Sequence, residues 1–457
     1  MSTLARQLAR FASDLRYEDL PADVIERVRL HALDLIGVCL LGAPMPFAHI
    51  LRATLAQSGG APEATLIGSG GLKLPSPSAT LYNGGLAHGN EFDDTYAPGR
   101  WHGSAPLVPP ALAIAEALRA DGKSFIAALS AGLEAGCRLT RAAPGLLNRG
   151  FHSTCTAGIY GATLAVGKLM ALRAAQLTEA MGICGSFASG TTEFLSDPEP
   201  WSKRIQVGYA GHGAIIAARL ALNGFRGPHT ILEGRYGYFR SYAGVGNFDL
   251  SGVTAALGSD WQVRYLYPKR YPCDHCAQGY VDCAIEVAKT ERIAANDIAR
   301  VDCIVHPLVA AVMFEPRDIR YRPSNGWSTR WSMPFNLAVA LTDRTVTVDS
   351  YTDARANDPA TRNLMAKVGY VTDPSLAFPL DYPAWIRVHT RDGRVLERKA
   401  LKVVGSTENP MSAEEYEQKF MRNACRSITR EKAAALIERM RSLASVKNMA
   451  ELAALYG

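Results

Sequence analysis

The chain has 457 residues, of which 48% are hydrophobic and 20% charged, and its net charge is +6. That length exceeds one ordinary domain, and the balance is that of a globular protein with a large core, neither disordered nor fibrous. The basic excess is thinly spread, with no run of Lys or Arg, which argues against nucleic-acid binding and suits the steering of a small anionic ligand.

Nine cysteines, an odd number, are scattered along the chain. This is the pattern of reduced thiols and not of a disulfide framework. Cys273 and Cys276 form a lone C-x-x-C with no second pair at zinc-ribbon spacing, and read as small hydrophobes at a loop-to-helix junction. The start, Met1 to Leu8, lacks the apolar core of a signal peptide. The most apolar stretch, Leu30 to Leu41, is interrupted by His31 and Asp34. The expectation is a cytoplasmic protein without a membrane span.

Up to about residue 230 the chain reads as helix after helix. Pro21 opens one that places Val24, Val28, Leu35 and Cys39 near one face. Pro110 to Leu118 forms another, ending at Asp121-Gly122, after which Ser124 is the expected cap of a helix carrying Phe125, Leu129, Leu133 and Cys137. After His152 the small residues Ala157, Gly158, Gly161 and Ala165 line a helix face that lets two backbones approach closely. Gly182 to Phe187 and Gly208 to Leu222 repeat the style, with Gly224 closing the last.

Near residue 260 the texture changes. Val301 to Val305 alternates like a half-buried strand, Thr345 to Val348 has strand composition, and Trp385 to Leu396 reads as a hairpin turning at Asp392-Gly393. Helices are expected near Gln278 to Ala288 and Pro334 to Leu341, and Ser412 with Glu415 forms a capping box. The predicted fold is mainly α. A large all-helical domain spans 1–265, a smaller α+β unit spans 266–400, and the C-terminal helices of 401–457 return to the helical domain.

Four polar clusters are candidates for chemistry. The densest runs from His88 through Glu91, Asp93, Asp94 and Thr95 to Arg100 and His102. Asp93 and Asp94 read equally well as helix caps, whereas His102 sits among Gly, Ser and Pro on a loop, a position suited to ligands. His152 lies at the start of the small-residue helix, where backbone N–H groups favour anions and depress an imidazole pKa; the alternative is a simple cap. The third cluster is Glu199-Pro-Trp-Ser-Lys203-Arg204, and the fourth runs from Tyr267 through Lys269 and Arg270 to Asp274 and His275. The glycines of Gly208 to Gly213 lack the order and preceding strand of a dinucleotide loop. H-E-x-x-H, G-x-S-x-G, Walker and multi-Cys metal motifs do not occur.

Taken in order, His31-Ala-Leu-Asp-Leu-Ile-Gly37, Asn83-Gly-Gly-Leu-Ala-His88, Glu91-Phe-Asp-Asp-Thr95, His102, Gly150-Phe-His152, Trp201-Ser-Lys203-Arg204, Gly224-Phe-Arg-Gly-Pro228, Leu232-Glu-Gly234 and Lys269-Arg-Tyr-Pro272 resemble the MmgE/PrpD family from near residue 5 to the C-terminus. The resemblance implies a helical domain built from both chain ends, an α+β lid, a homodimer, and no metal or organic cofactor. It also implies a small polycarboxylate substrate, with the active site carried over to Glu91, Thr95, His102, His152, Lys203 and Lys269. Family members dehydrate 2-methylcitrate, decarboxylate cis-aconitate or epimerise iminodisuccinate.

This sequence departs from the family pattern in having Glu91 where an aspartate is usual and Gly103 where proline commonly follows His102. Asp274 and Gln278 resemble the dehydratase members, which tilts the expectation towards dehydration of a 2-methylcitrate-like substrate. Epimerisation, decarboxylation and a non-catalytic binding protein are the alternatives. All three reactions build negative charge beside a carboxylate, for which fixed cations are the remedy. Lys203 and Lys269 are the expected cations. Arg100 or Arg270 would hold a remote carboxylate, His102 and His152 would divide acid and base roles, Glu91 and Thr95 would orient a histidine or bind a substrate oxygen, and Asp274 and Gln278 would also contact the substrate.

Overall fold

A computed structural model describes residues 2–197 and 201–457, so Glu199 of the third polar cluster lies outside the described residues. The Pro21 helix forms as Ala22–Gly42, burying Val24, Val28, Leu35 and Cys39 together with His31 and Asp34. Among the described residues no single helix is long and apolar enough to cross a membrane.

The small-residue faces explain how the helices pack. Helix Gly122–Ala142 crosses helix Gly158–Leu169 at Gly132 and Gly161, where a Cβ on either would meet the other's carbonyl oxygen at 2.5 Å. Helix Ser76–His88 crosses helix Ser202–Leu222 at Gly84 and Gly208, backbone against backbone. The run Gly208 to Gly213 therefore serves close packing. Gly224, at φ +90°, ends that last helix in a left-handed turn.

Local expectations fail where a neighbour supplies what the sequence alone does not show. Asp121, not Ser124, caps the helix Gly122–Ala142, its carboxylate accepting the Ser124 N–H at 2.7 Å. The helix expected from Pro110 begins at Ser104, because its first turn is held by Asp94 from an earlier segment. The segment after His152 breaks into Ser153–Thr156 and Gly158–Leu169. Thr345 to Val348 is not a strand: among the described residues it pairs with no other strand, Val346 packs into a core, and the chain turns at Val348–Ser350.

The sheet of the later segment has four strands in the order Val368–Thr372, Ile298–Val305, Ala384–Thr390, Val395–Ala400. The first pair is parallel, with Val301 opposite Val368, and the others are antiparallel. The hairpin turns at Gly393, φ +88°. Helices Gln278–Thr290 and Met333–Asp343 lie close to their expected spans. One large core gathers buried side chains between Ala5 and Leu266 and again between Phe420 and Tyr456, and a second gathers them between Cys273 and Leu396.

The capping box at Ser412 and Glu415 opens helix Ala413–Ala424, which packs on Ala22–Gly42 with Phe420 against Gly37. From this helix Lys419 donates to Asp34 at 2.8 Å and to the Phe92 carbonyl at 2.9 Å, all buried. A C-terminal lysine thus holds the backbone between Glu91 and Asp93. Substituting Gly132→Val should destabilise the fold by about 1–3 kcal/mol through overpacking at the helix crossing. A urea midpoint unchanged from wild type would contradict the crossing.

Candidate active site

Helix Ser76–His88 ends at Gly89, and the chain then turns sharply, with Glu91 at φ +53°, a conformation that side-chain-bearing residues rarely adopt. Four residues later Thr95–Tyr96 pairs antiparallel with Leu266–Tyr267, and that pairing delivers Lys269 beside the turn. Lys203 arrives from the first turn of helix Ser202–Leu222, set by the Gly84–Gly208 crossing. Glu91 is thereby bracketed: Lys203 Nζ contacts one carboxylate oxygen and Lys269 Nζ lies 3.5 Å from the other. Glu91 and Lys269 are fully buried, and Lys203 is 3% exposed. The Lys203 ammonium also sits between the rings of Phe194 and Trp331. Burial and then the Lys269 charge push the Lys203 amine well below its ordinary pKa, and the Asp274 carboxylate opposes them.

Three imidazoles stand in a row beside this bracket. His88 lies with its ring centroid 5.1 Å from His102 and 5.4 Å from His152. His88 Nδ1 donates to Asp93 at 2.7 Å, and its Nε2 has no partner. His102 Nδ1 meets the Asp94 carbonyl at 2.7 Å, with the Thr95 hydroxyl 3.3 Å away. His152 Nδ1 meets the Gln206 amide oxygen at 2.7 Å. A carbonyl oxygen only accepts, so both His102 and His152 carry their proton on Nδ1, leaving Nε2 with a lone pair. Burial pushes all three imidazoles down, His152 to about 4, so they are neutral in the unliganded protein. His152 precedes a helix of only four residues and its side chain makes no cap.

The aspartates beside Glu91 are more than caps. Asp94 does hold the first turn of helix Ser104–Ala117, accepting from Ser104 N at 3.1 Å, but it also pairs with His31 at 2.9 Å. Burial raises its carboxyl, and the hydrogen bonds from His31 and Ser104 outweigh that and hold it below the usual range. Asp93, buried between His88 and Lys269, is pushed up by burial.

A cleft of about 170 Å³ opens in front of these groups. Thr95, Arg100, His102, His152, Lys203 and Asp274 line it, while Glu91 and Lys269 lie buried behind Lys203. Cavities of about 150 Å³ admit a molecule of benzene's size, so the space suits a small organic acid. Arg100, at the lip, donates to Pro144 O and to Asn148 Oδ1, each at 3.2 Å.

Two expected residues are elsewhere. Arg270 pairs outward with Asp282 at 2.9 Å and lies near Glu415. Gln278 accepts the N–H groups of Arg270 and Tyr271 and donates to the Tyr271 carbonyl, so it braces the loop that carries Lys269. Both are corrections: at their positions on the helix and loop, the side chains face protein groups and not the cleft.

Sequence reasoning assigned no role to the His88–Asp93 pair or to His275, whose two ring nitrogens lack partners although it lines the cleft. Cys276, read as a plain hydrophobe, also lines it, and Cys273 is buried; both thiols are free. Among the described residues no group of three or more His, Cys, Asp or Glu side chains could hold a metal ion.

The family pattern matches over nearly the whole length: the MmgE/PrpD N-terminal domain over residues 6–251 and the MmgE/PrpD C-terminal domain over residues 271–444. The chain belongs to the MmgE/PrpD family, a family of enzymes. It is 27% identical to cis-aconitate decarboxylase of Aspergillus terreus over 453 residues, covering 94% of this chain and 91% of that protein. It is 25% identical to cis-aconitate decarboxylase of Homo sapiens, covering 100% and 95%, and 26% identical to the cis-aconitate decarboxylase-like protein oryM of Aspergillus oryzae, covering 98% and 96%.

His152 is neutral in the fold down to about pH 4, whereas an unfolded histidine takes its proton near 6.5. The unfolded state therefore binds protons first as pH falls, and His152's contribution is intact above 6.5 and lost on the way down to 4. Folding free energy should fall across that window with a slope of up to ~1.4 kcal/mol per pH unit from this group. His152→Asn should flatten the pH dependence of the urea midpoint; an identical slope in the variant would contradict a neutral, buried His152.

Proposed function

We propose that this protein is a lyase that removes carbon dioxide from a small unsaturated polycarboxylate of the cis-aconitate type. The observation that carries the reading is the buried Lys203–Glu91–Lys269 bracket behind a cleft lined by two imidazoles with free Nε2 atoms. The activities of the relatives support decarboxylation over the dehydration expected from Asp274 and Gln278. The place of Gln278, tied to backbone away from the cleft, removes part of the ground for dehydration.

In such a substrate the departing carboxylate sits on a carbon next to a C=C bond, and the far alkene carbon bears a second carboxylate. Cleavage of the C–C bond releases CO₂, and the freed pair forms a new double bond. The old π pair moves to the far carbon, which takes one proton. Substrate plus a proton thus gives CO₂ and an unsaturated acid with one carboxylate fewer. The transient charge on the far carbon spreads into its carboxylate, and Lys203, with Lys269 behind it, faces that charge in a dry site where fixed cations act strongly.

The substrate's own negative charge raises the imidazole pKa values on binding, and a protonated Nε2 of His102 or His152 is the proton donor. The bracket supplies the positive charge for this step, so the reading needs no metal or organic cofactor. Two separate cores, with cleft residues drawn from both chain segments, suit a helical body of 1–265 and 401–457 with a lid of 266–400 that opens for exchange.

Incubation with cis-aconitate and, in parallel, with 2-methylcitrate tests the reading. CO₂ release from the first is expected, and His102→Ala and His152→Ala should each lower it on the order of a hundredfold. Conjugated-alkene absorbance from 2-methylcitrate with no CO₂ release from cis-aconitate would overturn it. Wild-type turnover in either variant removes that histidine from the mechanism.

A further inference from the structure

The cleft lining is of two kinds. Thr95, His102, His152 and Lys203 are polar, whereas Leu308 and Val312 from helix Pro307–Met313, with Leu195, Leu147 and Phe378, make an apolar wall. Cis-aconitate, with three carboxylates on a short carbon frame, offers such a wall nothing to bury.

Charge points the same way. The cations at the cleft are Arg100 and Lys203, with Lys269 behind. Against them stand Glu91 in contact with both lysines, Asp274 on the cleft wall, and Asp93 beside Lys269. The imidazoles, neutral at rest, add at most one positive charge each when a bound anion protonates them. Even then a trianion entering this space would leave negative charge without a partner, which is costly beside groups this deeply buried.

Resting on the decarboxylase reading, we propose that the substrate is an unsaturated dicarboxylate carrying an alkyl or aryl substituent, which lies against Leu308, Val312 and Phe378. Two carboxylates suffice for the chemistry. One leaves as CO₂, its bonding pair forming the new C=C, and the other receives the displaced π pair through the adjacent carbon, which takes a proton. The substituent takes no part in bond making. It contributes binding by leaving water, about fourfold in affinity for each methylene buried.

The test compares cis-aconitate with 3-butylpent-2-enedioate, in which a butyl group replaces the central carboxylate. Dissociation constants come from calorimetry and turnover from CO₂ release, on wild type, Leu308→Arg and Phe378→Ala. Leu308 is 39% exposed at the mouth, so an arginine there can be accommodated. The butyl compound should bind wild type at least tenfold more tightly than cis-aconitate. Leu308→Arg should erase or reverse that preference, and Phe378→Ala should weaken the butyl compound alone. Equal or tighter binding of cis-aconitate by wild type, or a preference unchanged in both variants, would overturn the inference. Tighter binding of the butyl compound with CO₂ released from neither would support the substituent site and sink the decarboxylase reading instead.

Discussion

Two lysine amines held against one deeply buried glutamate are the constraint around which this protein is organised. Charges this deeply buried are stable only in company, and removing one partner of such a set leaves the other uncompensated. Each member comes from a different part of the chain. Glu91 sits in a strained turn after one helix, Lys203 starts another, and Lys269 follows a two-residue strand. The helix crossing at Gly84 and Gly208, the Thr95–Tyr267 pairing and the Lys419 anchor on Asp34 and the Phe92 carbonyl all serve to bring them together.

The histidines complete the device by being neutral at rest. His102 and His152 are each tied through Nδ1 to a carbonyl oxygen, which fixes the tautomer and leaves Nε2 with its lone pair. Burial keeps them uncharged in the unliganded protein, and in the proposed reaction an arriving anion would bring their protonation with it. His88, locked on Asp93 between them, fills the space and holds both rings in line. In the proposed reaction the positive charge is built into the fold, and the mobile proton comes with the ligand.

Much of this was legible from residue type and order. The glycine faces, the hairpin at Asp392-Gly393 and the capping box at Ser412 are local signals, and each appears where expected. Thr95, His102, His152, Lys203 and Asp274 fell in polar clusters between apolar helices, and all line one cleft. Arg270 and Gln278 misled because their neighbour Lys269 is at the site. Side chains one and nine positions on point to Asp282 and to loop backbone, a direction set by tertiary packing. The apolar wall could not be read at all: Leu308 and Val312 look like any helix residues until the cleft is seen to face them. Thr345 to Val348 failed for want of a partner strand, since strand composition describes a fit to a neighbour that sequence does not supply.

The central claim, that Lys203 beside Glu91 and Lys269 receives a substrate carboxylate, is tested most directly by calorimetric binding of an unreactive dicarboxylate such as glutarate to wild type and to Lys203→Met. The account predicts an affinity loss on the order of thirtyfold or more in a variant that remains folded. An unchanged dissociation constant would show that the carboxylate is held elsewhere and would contradict the account.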